Sequence, residues 1–225
     1  MKNLLKGLSL VMLLLIATST MAQKSSTFLG TVKMKMTIEG NMSEAEKAQS
    51  EGDVTFTYGD GMKKEKMERM MGSVTEINFI DSFLIMQERM GQQMAFRMTK
   101  TEKEEIEASV KQADTVKADI NVVLYDETKT VAGLKCKKAE IEEGENIIEV
   151  YYYPGYKLAE NLREDGMEKI EGLPLEFIIP IDEENSVKFV ATEVKKKKKM
   201  KAKDFQLPVG VKIMSFEEVR AMMGQ

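Results

Sequence analysis

The 225-residue chain has no histidine and no tryptophan, one cysteine and four prolines. Without histidine, Ser-His-Asp and Cys-His catalysis, histidine-ligated zinc and an imidazole pH switch are all excluded. A single cysteine, Cys136, cannot form an internal disulfide. Aromatic residues are sparse at 7%. Beyond the first 22 residues, no apolar run reaches the ~20 residues needed for a membrane-spanning helix. A basic excess is missing too: 33 Lys and Arg against 37 Asp and Glu leave a net charge of −4, unlike a nucleic-acid binder. The chain also lacks G-x-S-x-G, a phosphate-cradling glycine loop, H-E-x-x-H and EF-hand spacing. Its paired acids, such as Glu142-Glu143 and Asp182-Glu183-Glu184, lie in turn-like contexts that need no chemistry. The expectation is a protein without catalytic residues, cofactor or metal.

The abundant residue is methionine, with 19 in the chain, and 43% of all residues are hydrophobic. Residues 1–22 have the three zones of a signal peptide. Lys2 and Lys6 supply the positive start, Leu8 to Ala17 the apolar stretch, and Thr20-Met21-Ala22 the small residues before a cleavage at Gln23. No cysteine follows, so a lipoprotein anchor is not expected. Without Lys2 and Lys6 the remaining chain has 31 basic and 37 acidic residues, a charge of −6. A chain of this size can bury about 70% of its unfolded surface, so residues 23–225 are expected to form one exported domain.

The dominant period is two, the signature of half-buried strands. Val32, Met34, Met36 and Ile38 alternate with Thr31, Lys33, Lys35 and Thr37. Val54, Phe56 and Tyr58 repeat the pattern and run into the hairpin signal Gly59-Asp60-Gly61. Further strands are expected over 62–71, 74–79, 83–89 and 93–98, then over 120–125, 134–141, 147–153, 177–181 and 187–194. Residues 101–118 read equally as helix or loop. Helices are expected over 43–49, with Ser43 as N-cap, and after Ser215-Phe216-Glu217-Glu218, which has capping-box spacing. Residues 156–170 form a weaker helical candidate. The fold class is α+β, mainly antiparallel β.

The segment Lys129-Thr130-Val131-Ala132-Gly133-Leu134-Lys135-Cys136-Lys137-Lys138-Ala139 resembles the KTIAGYKCKK signature of exported Gram-negative domains of unknown function related to the lipoprotein carrier LolA. The aromatic run Val150-Tyr151-Tyr152-Tyr153 follows, then Gly172-Leu173-Pro174-Leu175-Glu176-Phe177. Phe205-Gln206-Leu207-Pro208-Val209-Gly210 is similar to the family's F-x-x-P-x-G ending. The resemblance covers residues 120–212 by motif and 28–98 by strand rhythm. It implies a LolA/LppX-like incomplete β-barrel, a curved sheet with a few covering helices around a hydrophobic cavity. Relatives with that fold hold lipid or lipoprotein acyl chains, and the family brings no catalytic residues.

A curved sheet with one apolar face needs either a core or a guest to cover it. The candidate cavity lining is Met34, Met36, Phe56, Met86, Met94, Phe96 and Met98, on a plausible inward face where the flexible thioethers of the methionines adapt to ligands of variable shape. The plainer alternative is that these side chains fill the interior themselves, making the protein a cell-envelope interaction or structural module. A third reading is a Cu(I) site on Met34-Lys35-Met36 or Met67-Glu68-Arg69-Met70-Met71, since soft ligands select Cu(I). The run Lys195, Lys196, Lys197, Lys198 and Lys199 offers a contact for an anionic membrane surface or an envelope protein, although charge runs are more often solvated loops or edge-strand guards. Cys136 shares a strand face with Leu134 and is expected to be buried and inert.

Overall fold

In the computed structural model the described residues are 25–111, 120–144, 146–163, 167 and 169–222. The expected leader and residues 112–119 lie outside them.

The period-two segments form strands in one twelve-stranded sheet. The first half is a meander: β2 (Gly30–Gly40), β3 (Gly52–Tyr58), β4 (Lys63–Arg69), β5 (Gly72–Asn78), β6 (Ser82–Arg89) and β7 (Gln92–Thr99). The second half is β8 (Ile120–Val131), β9 (Leu134–Glu143), β10 (Asn146–Tyr153), β12 (Leu173–Pro180) and β13 (Asn185–Lys196), with β14 (Ile213–Ser215) at the far edge. The order is β14-β7-β6-β5-β4-β3-β2-β13-β12-β10-β9-β8, and β13 joins the halves by pairing antiparallel with β2. Only β14 against β7 is parallel within this sheet. A separate parallel pair links β1 (Ser26–Thr27) to β11 (Tyr156–Lys157). The sheet is curved and does not close: residues of β3 and β9, five positions apart in the order, line one pocket.

Local chemistry fixes the turns and helix starts. Between β3 and β4, Gly59 N–H donates to the Met62 carbonyl at 2.8 Å, and Gly61 adopts φ +70°. A side chain on Gly59 would meet the Phe205 ring at 2.5 Å. At Asp182 the carboxylate accepts the Glu184 and Asn185 amides, both at 2.9 Å. Helix α1 (Glu44–Ser50) opens on a capping box between Ser43 and Glu46. In α2 (Lys100–Lys111) the Thr99 amide donates to Glu102 at 2.6 Å, and in α3 (Phe216–Met222) the Ser215 amide donates to Glu218 at 2.7 Å. Each box satisfies amides that the first helical turn leaves open. Within 101–118, residues 101–111 are therefore helical.

The helix expected over 156–170 does not form among the described residues. Tyr156 and Lys157 pair as β11, and a single 3-10 turn covers Glu160–Leu162. Leu158 and Leu162 bury in the main core cluster, whereas Ile170 packs with Val150 and Tyr152 in a second one. These separate destinations override the helical spacing.

In an antiparallel sheet directly opposed residues share a face, so the register follows one face across the strands. Met34, Val54, Met67, Val74, Gln87 and Met94 form one such row, here called the inner face. Lys33, Thr55, Lys66, Thr75, Met86 and Ala95 form the matching row on the outer face. In β2 and β3 the inner residues are buried; in β5 to β7 burial passes to Thr75, Ile77, Leu84, Met86 and Ala95 on the outer face. The C-terminal segment covers part of this outer face. Phe205 packs on Ile77 and Leu84, with Met200 and Leu207 beside them. Lys64 Nζ donates to the Gln206 carbonyl at 2.7 Å.

Candidate binding cavity on the inner face

An apolar pocket lies where the curved sheet faces itself. Met34, Phe56 and Tyr58 line it from β2 and β3, and Ile141, Ile148, Phe177 and Ile179 from β9, β10 and β12. Leu158, Leu162, Met167 and Ile170 cover it, leaving about 120 Å³. These covering side chains occupy the position a guest would take over an uncovered apolar sheet face.

Polar groups gather at the mouth. Lys63 and Arg163 line the apolar pocket and also a second groove of about 630 Å³. Lys63 is 9% exposed because the hairpin register places it opposite Tyr58, on the inner face. Its Nζ lies 3.7 Å from Glu65 and 5.9 Å from the centre of the Phe56 ring. Lys100 and Lys103 of α2 form another wall of the groove, with Lys103 Nζ 3.9 Å from the Phe83 ring centre. Glu65 and Glu76 connect this groove to a third depression of about 550 Å³ over β4 to β6.

The residues expected to line one cavity occupy three places. Met34, Met36 and Phe56 are buried together in the main core cluster, and Met34 and Phe56 line the pocket. Met86 is buried on the outer face, because its register partners are Thr75 and Ala95. Met94, Phe96 and Met98 share the inner face at its β7 end, where Met94 is 40% exposed and Met98 is buried. None of these three lines the apolar pocket. Sequence reasoning missed Lys63, whose signal was its place opposite Tyr58 across the Gly59–Met62 turn. It also missed the cover, because residues 156–170 were read as a weak helix.

The Cu(I) reading meets an electrostatic obstacle. Arg69 Nη2 lies 3.9 Å from the Met36 sulfur, which sets a positive charge where the metal would bind. Met70 is 71% exposed in the turn after β4, away from Met34. Cys136 is fully buried, and burial pushes its thiol up to about 11, so the reactive thiolate is scarce at neutral pH.

Lys195 and Lys196 end β13, which lies inside the sheet between β2 and β12, so they guard no edge. Lys195 pairs with Glu193 at 2.6 Å. Lys196 donates to Ser26 Oγ at 2.6 Å, with Nζ 4.7 Å from the Tyr156 ring centre. Lys197, Lys198 and Lys199 are exposed on the connection that follows.

The architecture is that of an α+β protein, mostly antiparallel, with one large unclosed sheet. No helix among the described residues is long and apolar enough to cross a membrane. Neither a family model nor a curated protein matches the sequence. Two crystal structures of PNGF-II, in space groups P21 and C2, are similar at TM-score 0.42 with 13% and 14% identity. Both matches cover 87% of this chain and about a third of the PNGF-II chain (34% and 33%). The crystal structure of MucB is similar at TM-score 0.40 and 12% identity, over 80% of this chain and 58% of MucB. Likenesses this distant carry no functional argument.

Proposed function

We propose that this is a non-catalytic, exported protein of the periplasm that binds a hydrophobic ligand, an acyl chain or lipid, on the inner face of a LolA-like half-barrel. The observation that carries the reading is the cover of the apolar pocket. The inner face between β3 and β9 is closed by Leu158, Leu162, Met167 and Ile170, side chains that belong to no strand of the large sheet. An apolar ligand entering there exchanges one set of dispersion contacts for another. The leader-like N-terminus supports the export, and Lys197, Lys198 and Lys199 are proposed to meet an anionic membrane surface.

The test is to purify the protein from the envelope fraction, extract it and identify bound lipids by mass spectrometry. A neutral fluorescent probe, N-phenyl-1-naphthylamine, then reports binding at the pocket. Recovery of lipid together with displacement of the probe by fatty acid is the expected result. Recovery of none, together with no displacement, overturns the reading.

A second reading is favoured by one measurement. A volume of about 120 Å³ falls below the ~300–1,000 Å³ of ordinary ligand pockets. The interior is then complete as it stands, and the protein is an envelope interaction module with a self-filled core.

A further inference from the structure

We infer that the depression over β4 to β6 is a second binding site, for a small ligand carrying a carboxylate or phosphate beside a short apolar group. It is independent of the proposed function: among the described residues it has no lining residue in common with the covered apolar pocket. Its volume of about 550 Å³ lies within the ~300–1,000 Å³ of ordinary ligand sites.

The first observation is the row at one end of the depression. Register sets Gly52, Arg69, Gly72, Arg89 and Gln92 side by side on the inner face. Gly72, at φ +151°, accepts no side chain, since a Cβ there would collide with the Glu88 carbonyl oxygen. The floor between the two arginines is therefore bare backbone. Their Cα atoms are two strand spacings apart, about 10 Å, so an anion between them can be met from both sides.

The second is that neither guanidinium has a carboxylate partner. The Arg89 side chain makes no hydrogen bond or ion pair among the described residues, and the one polar contact of Arg69 is the Met36 sulfur at 3.9 Å. A thioether is a weak acceptor, so Arg69 keeps its planar fork of donors for an oxyanion. The neighbouring acids are engaged elsewhere: Glu68 with Lys66 at 2.6 Å, and Glu88 with Gln93 at 3.1 Å. Glu65 and Glu76 line the opposite end, four residues along their strands or about 13 Å away. That exceeds the ~8–10 Å over which exposed charges act on one another.

The third is apolar surface beside the arginines. Met67, Met71 and Val74 line the depression between its two ends, and Met71 and Val74 are each 40% exposed. An apolar group laid on them removes that surface from water, and the thioethers adapt to its shape.

The experiment titrates protein labelled with carbon-13 at the methionine methyls with hexyl phosphate, hexanoate, hexanol and inorganic phosphate. The Met67 and Met71 signals should shift with hexyl phosphate and hexanoate at about tenfold lower concentration than with hexanol. Inorganic phosphate should compete with hexyl phosphate only at higher concentration, because it lacks the apolar group. The double variant Arg69→Gln with Arg89→Gln, at two exposed positions, should lose the preference for the anions. Val74→Asp, which sets a carboxylate in the depression, should lose it independently. Lys66→Gln removes a cation from the opposite face of β4 and should keep it. Equal response to hexyl phosphate and hexanol, a preference that survives the double arginine variant, or one that vanishes with Lys66→Gln overturns the inference. Competition by inorganic phosphate as strong as that of hexyl phosphate overturns it as well. Shifts at Met34 and Met167 alone also overturn it, and leave the covered pocket standing.

Discussion

The two ends of the meander use the same sheet in opposite ways. At β2 and β3 the inner residues Val32, Met34, Val54 and Phe56 are buried, and the outer positions carry Lys33, Lys35 and Asp53. At β5 to β7 the inner row carries Glu76, Gln87 and a half-exposed Val74, while Ile77, Leu84 and Met86 bury on the outer side. The change falls at β4, where alternate residues Lys63, Glu65 and Met67 face inward and Lys64 and Lys66 outward. Neither face of β4 is apolar throughout, so the strand tolerates a hydrophobic interior on either side. One end thereby acquires a covered pocket, and the other a charged trough opening from it. A long unclosed sheet thus carries a covered apolar pocket and an adjoining charged groove without a second domain.

The sharpest way to break this comparison is to place the same charge twice in one cross-strand row. Met34→Asp buries an unpaired carboxylate and should cost about 4 kcal/mol or more, whereas Val74→Asp, at a 40% exposed position, should stay within about 0.5 kcal/mol. Urea unfolding of the two variants measures the difference, and equal costs would erase the distinction between the ends. Phe205→Ala tests the outer core. Removing the ring from Ile77 and Leu84 should cost about 3 kcal/mol in the same assay. Ser215→Ala removes the cap of α3 and should cost about 1 kcal/mol. The smallest effect is chemical. With its thiol held up to about 11, Cys136 should resist maleimide at pH 8 in folded protein and react once urea unfolds it. The sign of the linked stability follows from a raised value. The contribution is fully present below the ordinary thiol pKa of 9.0 and is lost as pH rises through about 11.

The strands β2 and β3 were legible because their alternation is strict: only one face of Val32-Lys33-Met34-Lys35-Met36 can be apolar. The turn at Gly59-Asp60-Gly61 and the boxes at Ser43 and Ser215 were legible because their chemistry is local. The burial switch was not. Phe83-Leu84-Ile85-Met86 is apolar on both faces, so its sequence cannot say which side a distant segment will cover, and Phe205 makes that choice from 120 residues downstream. Lys63 was hidden by its charge, since a lysine in a dense run of Lys and Glu reads as surface until the register sets it beside Tyr58. Met86 was assigned inward from its residue type, where only the pairing with Thr75 and Ala95 decides.

The methionines themselves supply the most direct test of the central claim, that an apolar ligand enters at the inner face between β3 and β9. Protein labelled with carbon-13 at the methionine methyls is titrated with laurate, and each methyl resonance is assigned by Met→Leu substitution. The account predicts that the signals of Met34 and Met167, which line the pocket, shift on binding. Met86, buried on the outer face, and the exposed Met70 and Met90 should stay in place. Unmoved Met34 and Met167 signals at saturating laurate, or shifts confined to Met86 or to the exposed methyls, would contradict it.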